Sequence, residues 1–149
     1  MARRRKRAEA PKLLIFEVLA WEPNYTFSVN RDPDRLGDYV EYLELHLDAK
    51  CVYPDKLIGR SLTVTASSRR GLFAPSRPRG APLEESSSLG TLRLPPSGGS
   101  FYFGVPHESC SYLMSGFESH QFQFLMLSIS PLARGRSSVN DVIFARTSD

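Results

Sequence analysis

Between Tyr39 and Pro54 apolar and polar residues alternate. Leu43, Leu45, Leu47, Ala49, Cys51 and Tyr53 share one parity; Glu44, His46, Asp48 and Lys50 hold the other. A period of two is that of a strand with one buried and one wet face, whereas helical spacing would scatter the leucines around a cylinder. The stretch predicts a long strand whose leucine face needs a second apolar layer. Glu41 shares the leucine parity, which places it at the start of the strand, beyond the core.

Upstream, Leu13 to Trp21 is rich in Leu, Ile, Phe and Val, Glu22-Pro23-Asn24 reads as a bend, and Tyr25 to Val29 alternates strictly. The two runs predict a first hairpin or a kinked strand. Residues 30–38 are dense in turn formers. Downstream, Pro54 stops the organising strand, and Pro54 to Arg60 makes a turn that folds Leu57 and Ile58 inward. Ser61 to Ala66 is the next strand, with Leu62, Val64 and Ala66 facing in and Thr63 and Thr65 facing out.

From Ser67 to Ser100 the composition shifts to Arg, Pro, Ser and Gly, too little apolar surface to offset ordering entropy, so a flexible connection is expected. Leu89 to Leu94 is an island in it that could form a short edge strand. Phe101 to Val105 is an aromatic strand ended by Pro106. The period then changes: Cys110, Leu113, Met114 and Phe117 recur at helical spacing, predicting one short helix over His107 to Glu118, with Gly116 as its weak point. Gln121 to Ile129 becomes apolar on both faces, as a central strand covered by that helix would. After a turn over 131–138, Val139 to Arg146 makes a last strand with Val142 and Phe144 on one face and Ile143 on the other. The fold class expected is all-β with one short helix, an antiparallel β-sandwich or partly open barrel of about seven to eight strands.

Composition narrows this to one domain over residues 12–149, since 149 residues with 41% hydrophobic content suit a single core. The formal net charge of +3 is uneven: Arg3, Arg4, Arg5, Lys6 and Arg7 lie in a basic arm over residues 1–11, and the body is near neutral. Two cysteines are too few for a disulfide framework, so a reducing, cytoplasmic setting is expected. The apolar run Leu13 to Phe16 is broken by Glu17 and Glu22 without a cleavage pattern, and no run reaches the roughly 18 apolar residues of a membrane helix.

Candidate chemistry is sparse. His107, Cys110 and His120 are of zinc-ligand type, but the second Cys pair is missing and Ser111 stands where an H-E-x-x-H helix needs its second His. Cys110 or a serine could serve as a nucleophile with His107 or His120 as base and Glu108 or Glu118 behind it, yet no nucleophile-elbow motif is present. Glu44, His46 and Asp48 read as a solvated face, and no glycine spacing implies a nucleotide cofactor. The basic residues Arg3 to Arg7, with Arg69, Arg70, Arg77 and Arg79, are the candidates for contact with a partner or with nucleic acid. The leading expectation is a non-enzymatic protein-interaction or structural module that docks a protein partner, or a second copy of itself as a homo-oligomer, without membrane contact and without a cofactor. Its alternatives are a nucleic-acid-associated β protein using the basic arm and a small metal-dependent enzyme around His107, Cys110 and His120.

Overall fold

The alternating stretch forms β2, Tyr39–Tyr53, and four of its odd-numbered side chains, Leu45, Leu47, Ala49 and Cys51, are buried. The computed structural model describes residues 12–29, 39–69 and 88–148. Within these, β2 is joined by β1 (Lys12–Val29), β3 (Ser61–Arg69), β4 (Gly90–Leu92), β5 (Gly99–Gly104), a helix α1 (His107–Glu118), β6 (Phe124–Pro131) and β7 (Ser137–Ala145). Short 3-10 turns occupy Asp55–Leu57 and Ala133–Gly135. The strands form one seven-stranded sheet in the order β4-β7-β6-β1-β2-β3-β5. It curls until its two ends meet at a single bridge between Arg93 and Ser100, giving a nearly closed, barrel-like all-β fold.

The barrel interior is filled. Phe16, Leu47, Leu62, Val64, Phe101, Leu125 and Leu127 from five different strands are all essentially inaccessible, as is usual when a small barrel closes on its own side chains. Tyr53, of the same parity, lies half exposed where β2 leaves the core. Leu57 packs against the core as expected, whereas Ile58 points outward.

Three points refine the expectations. First, of the hairpin and the single strand it is the strand that forms, 18 residues long with a register shift against β2 at Val18/Ala20 and no hairpin at Pro23. Cys51 bonds Arg60 and Gly59 through its backbone, so the odd positions of β2 face β3 and its even positions face β1. Pro23 pairs with Leu45, an odd position, and so stands where β1 donates nothing to β2; beyond Glu17 it has also left the segment paired with β6. A proline there removes no ladder bond. Second, the sheet is mixed: β5 runs parallel to β3, because the chain between them detours through β4 before returning, as a parallel neighbour requires. Third, β3 continues to Arg69, burying Ser67 and Ser68 inside the stretch expected to be connection, and the island at 89–94 contributes β4 with Leu92 in the core. Residues 70–87 of that stretch lie outside the described part.

In β7 a register shift between Ser128 and Ile129 passes over Asn140, so Val139 and Val142 both turn inward despite opposite parity. Helix α1 begins and ends where its spacing predicts. It packs at the end of the barrel formed by the start of β2 and the ends of β3, β5 and β7, not over the second face of β6. Phe117 there stacks on Trp21 at 5.8 Å and meets Phe122 and Phe144 edge-on at 5.6 and 5.3 Å. Gly116 is no weak point: a Cβ on it would run into the Phe122 ring.

Two outcomes follow for urea denaturation. Leu47→Ala lowers stability by about 2–5 kcal/mol, while Asp48→Ala stays within about 0.5 kcal/mol; small and equal effects would remove β2 from its organising place. Gly116→Ala gains up to about 1 kcal/mol of helix propensity but meets the Phe122 ring at a cost of roughly 1–3 kcal/mol, a net loss. In a Phe122→Ala background the same substitution becomes stabilising, and an unchanged sign there would refute the steric account.

Candidate functional site

The zinc-type residues are not gathered. Cys110 is buried in α1 with its thiol 3.9 Å from the Leu43 carbonyl oxygen. About 12 Å of helix axis separates it from the helix end, beyond which His120 stands exposed with a φ of 60°. The side chain of His107 lies outside the described part. Among the described residues no group of three or more His, Cys, Asp and Glu is placed to hold a metal ion. Of the basic candidates, Arg3 to Arg7, Arg70, Arg77 and Arg79 lie outside the described residues, and Arg69 is described only in its backbone at the end of β3.

The structure does join three residues that pattern alone left as a solvated face. The β2–β3 register sets His46 opposite Thr65. The imidazole Nδ1 lies 3.2 Å from the Thr65 hydroxyl and Nε2 lies 3.2 Å from the Glu44 carboxylate. A neutral ring protonated at Nε2 satisfies both contacts, donating to Glu44 and accepting from Thr65. A carboxylate, an imidazole and a hydroxyl in series have the composition of a nucleophile relay, but acyl transfer also needs free donors for an oxyanion. Thr65 lies on β3 between β2 and β5, so the backbone amides around it belong to ladders on both sides. With those amides paired, the chain of contacts is a cross-strand pairing of roughly 0.2–1 kcal/mol. The period-two pattern placed these residues on one face, and only the register could show which of them meet.

The concave feature lies at the barrel end opposite α1. There the start of β1, the end of β2, the end of β6 and the start of β7 leave a cavity of about 640 Å³, within the range of sites that hold ligands. Its floor is apolar, from Leu14, Leu57 and Ile129, and its lining includes Tyr53, Pro131 and Leu132. Leu13, Tyr53 and Leu132 are 43%, 50% and 47% exposed, so apolar surface faces solvent around the rim. Lys12, Lys56 and Arg136 supply its charge, and among the described residues no acidic residue lines it. Asp55 stands beside Lys56 on the exposed turn without lining the cavity. No periodicity in the sequence marks this site, because its residues come from four separate strand ends and look like ordinary strand stops.

A second basin of about 470 Å³ lies over the start of β3 and β5, lined by Ser61, Thr63, Arg93, Ser97 and Gly98 among others. Apart from Pro95 it offers no apolar side chain to cover. Neither a protein-family model nor a curated protein nor a solved structure matches the chain. Among the described residues no helix is long and apolar enough to cross a membrane.

Both cysteines are free and buried. At Cys51, burial pushes the thiol above its ordinary range, against the opposing effects of its bond to the Tyr53 carbonyl oxygen at 3.1 Å and of nearby Arg60. A thiol kept neutral is a poor nucleophile. As pH rises the unfolded chain sheds this proton first, so the stabilisation from the neutral thiol is complete below the ordinary thiol range and is lost as pH climbs through it toward the folded value. The expected result is a stability difference between wild type and Cys51→Ala that narrows from about pH 8 to pH 10. A difference that widens over that interval would contradict burial as the dominant cause.

Proposed function

We propose that the protein is a non-catalytic interaction module in which the barrel is a scaffold and the open end is the place where a segment of a protein partner is received. One observation carries the reading: an apolar basin of about 640 Å³ ringed by exposed Leu13, Tyr53 and Leu132. Exposed apolar surface gathered around a concavity is what partner-binding sites present, whereas singly scattered apolar residues need no explanation. The packed interior supports a partner's side chains rather than a free hydrocarbon chain as the occupant. Phe16, Leu47 and Leu127 are fully buried and fill the barrel, so its interior is packed by its own side chains. Two unpaired thiols fit a cytoplasmic setting.

The test is selection of a random peptide library on the folded protein, with the enriched peptides then titrated against wild type and Leu132→Asp. Leu132 is half exposed, so the substitution leaves the fold intact, which its urea midpoint verifies. Enriched peptides should bind wild type and lose about tenfold or more against the variant, the scale of one interface anchor. Equal binding to both proteins would place the partner surface elsewhere.

A further inference from the structure

Resting on the reading of the open end as the docking place, we infer that the segment it receives is acidic as well as apolar: a short stretch of a partner chain that places one or two leucine-like or aromatic side chains in the basin and a carboxylate at its rim. The floor, from Leu14, Leu57 and Ile129, and the exposed Leu13 and Leu132 select for apolar side chains by area removed from water. The rim selects for charge. Lys12 opens β1, Lys56 projects from the turn after β2 and Arg136 precedes β7, so three cations from three parts of the chain converge on one cavity, and among the described residues no acidic side chain lines it. The exposed Asp55 offsets part of that charge, leaving the lining net positive.

Of the described acidic residues outside the lining, Glu22, Glu44 and Asp48 belong to cross-strand rows of β1 and β2 away from this end, and Asp141 stands on β7 beside Ser128. The lining cations therefore favour an acidic segment, a preference that acts on encounter rate and on choice of partner. Lys12 and Arg136 each also engage another group, so Lys56 is the cleaner probe of the rim's charge.

The inference is tested with three synthetic hexapeptides that share two leucines and a phenylalanine and differ only in three intervening residues, glutamate, glutamine or lysine, and with decanoate as an amphiphile control. Binding to the full chain is followed by amide chemical-shift changes and by fluorescence anisotropy at low and high salt. The glutamate peptide should shift Leu13, Lys56 and Leu132 and bind roughly fivefold or more tightly than the glutamine peptide, with the lysine peptide weaker still. That preference should shrink at high salt and fall by about threefold or more in Lys56→Glu, while Leu132→Asp weakens all three peptides. Glutamate and glutamine peptides binding equally at these residues would overturn the acidic preference and leave the docking place intact. Binding by none of the peptides, shifts confined to other residues, or decanoate binding where peptides fail would overturn both.

Discussion

The row Leu45, Leu47, Ala49 and Cys51 can leave water only if a second apolar surface closes over it, and no single neighbour of β2 is broad enough to do so. Each strand therefore contributes its own inward row: Phe16 from β1, Leu62 and Val64 from β3, Phe101 from β5, Leu125 and Leu127 from β6 and Val139 from β7. Curling one sheet until β4 reaches β5 lets these rows face one another, and α1 fills one end with Phe117. Among the described residues the opposite end has no such plug. Closure of the core and openness of the basin are thus two results of one requirement, since one helix can stopper only one end.

What could be read beforehand was what depends on local period. The extent of β2, the helix over His107 to Glu118 and the inward face of β3 all follow from spacing alone. Signals that depend on a neighbour were ambiguous. Pro23 breaks a strand only if its missing N–H was needed, and whether it was depends on which side β2 occupies. Gly116 weakens a helix only if nothing takes the space of the absent Cβ, and Phe122 takes it. Ser67 and Ser68 look like connection until β2 and β5 cover them from both sides.

The functional features were less legible for the same reason, carried further. His46 and Thr65 are nineteen positions apart and meet through register; the basin joins residues from Lys12 to Ser137. Chemistry that announces itself in sequence has ligands at fixed short spacing. Here the residue types with familiar spacing, Cys110 and His120, are parted by a helix, and the convergence is made of leucines, lysines and an arginine, which carry no motif.

The place of β1 has a consequence for how the chain is made. Among the described strands it is synthesised first, yet in the sheet it lies between β2 and β6. Its β2 side can be satisfied early, but Lys12 to Glu17 pair with Phe124 to Ile129, so that edge waits for more than a hundred further residues of synthesis. Phe16, which ends fully buried, stays on an incomplete sheet for that whole interval. Non-local pairing of this kind slows closure and exposes an edge to other chains while it lasts. Glu17 and Glu22 on the same strand then do something unrelated to the finished core: they put charge on a surface that is temporarily open.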